Sequence, residues 1–139
     1  MRNYNLFKII ISGIIIILPF ISCNNEIKEV NLNLSGLNMG TEFRIDTINT
    51  NDWDSLFIVK PYAMIDSNKY NIPKSVLKKI EFQTLFDGYC SLLFFKNKQL
   101  INYSFIPRNI SDFSQIKEGS LFPSHQIYKL NDKRLVVIL

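Results

Sequence analysis

Polar and apolar positions alternate from Thr41 to Asp46, which sends Phe43 and Ile45 to one side and predicts a half-buried strand. Residues 49–52 are polar and read as a turn. The run from Trp53 to Lys60 then loses its alternation, being apolar at every position from Leu56 to Val59. A strand of that kind is covered on both faces, so it is predicted at the centre of a sheet. It ends at Pro61-Tyr62, since proline cannot donate to a ladder. Between Asn71 and Ile80 the period changes. Val76, Leu77 and Ile80 share one helical face, Lys78 and Lys79 lie on the other and suit the C-terminal end of the helix dipole, Pro73 suits the first turn, and an Asn can cap before it. Tyr89–Phe95 and Gln99–Ile106, joined at Asn97-Lys98, read as a hairpin whose returning strand sets Ile101, Tyr103 and Phe105 against a wet face of Asn102 and Ser104. A helical turn is expected over 111–117 with Ser111 or Asp112 as its cap and Phe113 and Ile116 inward, and a loop over 119–124. A second hairpin over 126–138 turns at Asn131-Asp132 and ties the C-terminus into the sheet.

The elements add up to a single small α+β domain. It has a mostly antiparallel sheet of about five or six strands and one short helix, placed over residues 41–139. The Asn-rich stretch 23–40 is read as a tether, although Val30, Leu32 and Leu34 alternate with polar residues and allow a first edge strand there.

The first residues follow neither period. Arg2 and Lys8 form a positive head, Ile9 to Ile21 is nearly all apolar, and Ser22-Cys23-Asn24 follows. That is the layout of a secretory signal. The apolar run is short for a bilayer span, which takes about 20 residues. Phe20-Ile21-Ser22-Cys23 resembles the lipobox of bacterial lipoproteins, with Ser22 as the small residue flanking the cut and Phe20 where that family usually has Leu. The resemblance implies removal of residues 1–22, lipid on Cys23 and anchoring to a membrane without spanning it. Asn24 in place of the Asp that retains such proteins at the inner membrane implies the outer membrane, where the cell has one. An uncleaved anchor helix with Cys23 as a plain thiol is the alternative. Trp53-Asp54, Phe57 and Pro61-Tyr62 further resemble a segment of small envelope lipoproteins, a group to which no activity is assigned.

Charge and chemistry narrow the field. Losing Arg2 and Lys8 lowers the formal charge from +4 to +2, too little for a phosphate-binding stripe, so no nucleic-acid partner is expected. With Cys23 lipidated, Cys90 is left alone in an apolar run and reads as a buried thiol. One His and one free Cys cannot build a zinc site, and His125 beside Ser124 is not a catalytic pair in extended chain. No metal and no cofactor is expected. Asp46, Asp54, Asp66 and Asp87 are scattered, and any two could meet as an acid/base pair. The reading is therefore a non-enzymatic, lipid-anchored envelope protein acting by protein contact, as an accessory subunit or inhibitor. A small-molecule or glycan module using Tyr62, Tyr70 or Tyr103 is the alternative, and a carboxylate hydrolase stands third. Trp53 and Tyr62 are the candidate binding residues, with core anchoring as the competing role for Trp53.

Overall fold

A computed structural model describes residues 26–139. The segment read as a signal, including Ser22, and the expected lipid site Cys23 lie outside the described residues. Eight strands and two α-helices follow in the order β1 (Lys28–Glu29), β2 (Glu42–Arg44), β3 (Ser55–Val59), α1 (Ser67–Tyr70), α2 (Lys74–Thr84), β4 (Tyr89–Lys96), β5 (Gln99–Pro107), β6 (Leu121–Pro123), β7 (Ile127–Leu130) and β8 (Val136–Ile138), with a 3-10 turn at Ile45–Thr47 after β2. The fold is α+β. A five-stranded sheet has the order β1-β5-β4-β3-β6, and a separate three-stranded sheet has the order β2-β7-β8. Every pairing between named strands is antiparallel except β1 with β5.

Three layers result, because β3 and β4 are apolar on both faces. Leu56, Ile58, Cys90, Leu92, Phe94 and Ile106 point to one side and pack against Phe43, Tyr128, Leu130 and Val136 of the small sheet. Phe57, Val59, Leu93 and Tyr103 point to the other side and pack against Tyr70, Ile72, Val76 and Ile80 of the helical segment. As predicted, β3 is central, flanked by β4 and β6.

The β4–β5 hairpin turns on Asn97 and Lys98, both at positive φ (49° and 64°), as a two-residue primed turn requires. Its register skips Ile101: Phe94 pairs with Asn102, while Phe95 pairs with Leu100. This irregularity sends Ile101 toward the small-sheet side and leaves Tyr103 and Phe105 on the helical side. The predicted wet face is thereby overturned. Asn102 (6% exposed) and Ser104 (1%) are buried, because they line the side that the loop around Asn49 and the small sheet cover.

Other boundaries shift for physical reasons. Residues 28–34, read as tether, belong to the body: the Val30 N–H donates to Tyr103 O at 2.8 Å, and Leu32 and Leu34 are core. Asn71 does not cap α2. It closes α1 at φ 48°, while Asp66 caps α1 by accepting from the Asn68 and Lys69 N–H groups. α2 runs on to Thr84, so Lys78 and Lys79 sit mid-helix and not at its C-terminal end. Residues 111–117 form no helix. Phe113 and Ile116 are buried as expected, but Asp112 bridges to Leu135 instead, giving its N–H to Arg134 O and taking that of Val136. The loop expected over 119–124 contains β6, whose Pro123 is tolerated because the strand is an edge. The second hairpin forms as predicted, but in the small sheet, beside β2.

Candidate contact surface

Trp53 is 6% exposed and cannot be a binding surface. Its indole N–H donates to Asn49 O at 3.0 Å, and its ring meets Phe94 edge-on at 5.0 Å between centroids. Tyr62 is 69% exposed, at φ 62°, in the turn after β3, and its N–H donates to Thr84 O at the end of α2. The two candidate residues thus stand before and after β3 and form no common site. Of the other tyrosines proposed for ligand stacking, Tyr70 and Tyr103 are buried in the helical-side core.

The scattered acids serve the fold. Asp54 accepts the Asn97 N–H at 2.7 Å and the Ser55 hydroxyl, tying the start of β3 to the hairpin turn; these bonds hold its carboxyl below the ordinary value. Asp46 pairs with Arg44, and Asp66 caps α1. Asp87 shares one cation with Asp112, an acid outside the four singled out from the sequence as possible acid/base partners. Arg108 gives Nη1 to Asp87, and gives Nη2 to Asp112 at 2.8 Å. Burial pushes the Asp112 carboxyl up, but Arg108 and Ser114, whose N–H donates to Oδ1 at 2.9 Å, outweigh it and hold the group low. A carboxylate held low between a guanidinium and an amide is suited to clamping three chain segments together and unsuited to taking up a proton near neutrality.

Cys90 is fully buried, and desolvation pushes its thiol up to about 11, the opposite of an activated nucleophile. His125 is exposed in the turn between β6 and β7. Among the described residues no three His, Cys, Asp or Glu side chains are placed to hold a metal ion, and no helix is long and apolar enough to cross a membrane.

What the layers leave uncovered is apolar surface. In the small sheet Tyr128 and Leu130 face inward, so Ile127 and Lys129 face out. The β7–β8 register places Val137 beside Lys129. The Leu139 N–H donates to Ile127 O, which sets Leu139 next to Ile127. Ile127, Val137 and Leu139 are 42%, 36% and 57% exposed, with Arg44, Glu42 and Lys129 around them. Ile127 also borders a hollow of about 410 Å³ floored by Leu37, Phe43 and Ile48. The signal for this surface was in the sequence, in the unbroken apolar run 135–139, but a run apolar on both faces reads as a fully covered strand. Only the layer order shows that one face has no cover. No family model matches the chain, and no curated protein or solved structure matches it.

Proposed function

We propose that the chain is a lipid-anchored protein of the bacterial cell envelope, held by Cys23 and working without catalysis, through contact between the outer face of its small sheet and another envelope protein. One observation carries the choice of surface. Ile127, Val137 and Leu139 form an apolar face with a charged rim, on strands whose opposite face is already packed into the core. An apolar centre with a polar rim is the anatomy of a protein interface. The structural employment of Asp46, Asp54, Asp66 and Asp87 supports a contact role over a carboxylate hydrolase. The burial of Tyr70 and Tyr103 weighs against the glycan module.

The test uses the full chain in a bacterial host. Mass spectrometry is expected to find a chain beginning at Cys23 with acyl mass, lost in Cys23→Ala. Cross-linking in intact cells is expected to give a discrete adduct that disappears in Ile127→Asp/Val137→Asp while the melting curve stays in place. An unmodified chain retaining Met1, or an adduct indifferent to the double substitution, refutes the reading.

A further inference from the structure

A second uncovered apolar face lies on the opposite layer. Phe82, Leu85 and Phe86 are 60%, 67% and 50% exposed along and just beyond α2, and the two phenyl rings stack edge-on at 5.3 Å. Lys78 stands one turn before Phe82 on the same face, since residues four apart are neighbours on a helix. Residues 60–89, which carry the helical layer, hold five lysines and three acids, whereas the rest of the described chain holds nine basic and nine acidic residues. Of the five lysines, Lys78 and Lys79 border the hollow beside Phe82, together with one acid, Glu29.

The path of the chain bears on the same face. Glu29 borders the hollow formed by Lys78, Lys79, Phe82, Gln83 and Phe105. Cys23 precedes it by six residues, which span at most about 20 Å when extended. From Glu29 the chain runs back to Glu26, which lines a hollow with Asp52 and Lys96, so whatever holds Cys23 is kept within about 20 Å of Glu29, at the β1 edge of the sheet.

We propose that the lysine and aromatic face of α2, centred on Lys78, Phe82 and Phe86, lies on the anionic surface of the bilayer in which the Cys23 lipid is seated. The proposal rests on the anchoring stated above. Aromatic rings settle at the headgroup level, and lysines beside them draw the face to anionic lipid. The aliphatic face of the small sheet, on the far side of the five-stranded sheet, is then presented away from the membrane. One short tether would leave the domain free to tumble, and the second attachment fixes which face it shows to a partner.

The experiment reconstitutes the acylated full chain in phosphatidylethanolamine vesicles with and without phosphatidylglycerol. A bimane label is placed at Gln83→Cys or, as control, at Asp132→Cys in the turn between β7 and β8, with headgroup nitroxide lipids as quencher. Cys90 is buried and Cys23 is blocked by lipid, so the label goes to one site. Quenching is expected at position 83 and not at 132, and only with phosphatidylglycerol present. Lys78→Glu is expected to reduce the docked fraction by about fivefold or more. Phe82→Asp/Phe86→Asp is expected to abolish quenching while the protein stays bound to the vesicles and its melting curve is retained. Equal quenching at the two sites overturns the proposal but leaves the anchor standing, and so does quenching at neither site in vesicle-bound protein. Protection of position 83 in native envelopes but not in lipid vesicles assigns the face to a protein and overturns it too. A chain without acyl mass refutes the anchoring reading itself, and the docking with it.

Discussion

The two sides of the five-stranded sheet are built differently. The helical side is the smaller core and is mostly apolar and aromatic, with Tyr70 set between Phe57 at 4.5 Å and Phe95 at 6.0 Å; it also buries Ser91, which pairs with Val59 and Phe105, and Thr84, whose hydroxyl donates to Glu81 O within its own helix. The small-sheet side is larger and contains polar groups that are buried and bonded to one another. The Asn49 amide donates to Asn102 Oδ1 at 3.3 Å, the Asn49 carbonyl takes the Trp53 indole N–H, and Arg108, Asp112 and Ser114 form the second cluster. The difference follows from what covers each face. A helix satisfies its own backbone and presents only side chains to the sheet. The second sheet approaches through loops, at Asn49 and at 108–114, and a loop brings polar groups that need partners when buried. The helical side is therefore expected to tolerate substitution according to volume, and the small-sheet side according to hydrogen bonding as well.

Trp53 belongs to both kinds of interaction, and its loss is the harshest test. Trp53→Ala removes a large buried ring and the hydrogen bond to Asn49, with an expected cost of about 3–5 kcal/mol in urea unfolding. A cost under about 1 kcal/mol would show that Trp53 does not organise this core. On the other side, Ile80→Ala is expected to cost about 2–4 kcal/mol. Trp53 fluorescence and far-ultraviolet circular dichroism are expected to shift together in that variant. Separate midpoints would mean that the helical layer melts on its own and that the two cores are not one cooperative unit.

Asp112→Asn keeps the shape of the small-sheet side and removes its charge, at an expected cost of about 1.5–3 kcal/mol. It also changes the pH dependence. Asp112 and Asp54 are held below the ordinary carboxyl value in the folded chain, so at acid pH the unfolded chain binds more protons. Their stabilisation is complete above the ordinary carboxylate range and is lost as pH falls through the depressed folded values. The variant is expected to show a shallower fall in stability between neutral and acid pH. An unchanged acid limb would remove Asp112 from the account.

The smallest effect separates bonding from volume. Asn49→Ala strands the Asn102 amide and is expected to cost about 1–2 kcal/mol, whereas Asn49→Leu with Asn102→Leu removes both partners and is expected to recover most of that loss. If the double variant is the worse of the two, steric fit and not hydrogen bonding governs the site.

Local rules reached some elements and stopped short of others. The central β3, the Asn97-Lys98 turn and the apolar face of α2 were legible because each is set by neighbours in sequence: an apolar run, a residue tolerant of positive φ, a helical period. The burial of Asn102 and Ser104 was not legible, because alternating polar residues on a strand mean solvent only where no second layer arrives. β6 escaped notice because three residues including a proline have no periodicity to detect, and their ladder is supplied by β3. Asp112 resembled a helix cap because an Asp with its acceptor oxygen satisfies a nearby N–H in a turn as well as in a helix; its bond to Ser114 is that local habit without the helix.

For the candidate surfaces the division is sharper. Tyr62 is legible as a strand-end residue, and of the two roles the sequence allows Trp53, core anchor and binding residue, the structure bears out the core anchor. By itself the sequence determined the alternation of elements, the α+β class and the apolar inner faces, because side-chain periodicity and backbone preferences act over a few residues. Tertiary structure alone decided that the C-terminal hairpin forms a second sheet, that polar residues on β5 are buried, and that one apolar face on each outer layer is left uncovered. Those outcomes depend on which segments distant in the chain come to lie over one another, and no local pattern encodes the arrival of a partner layer.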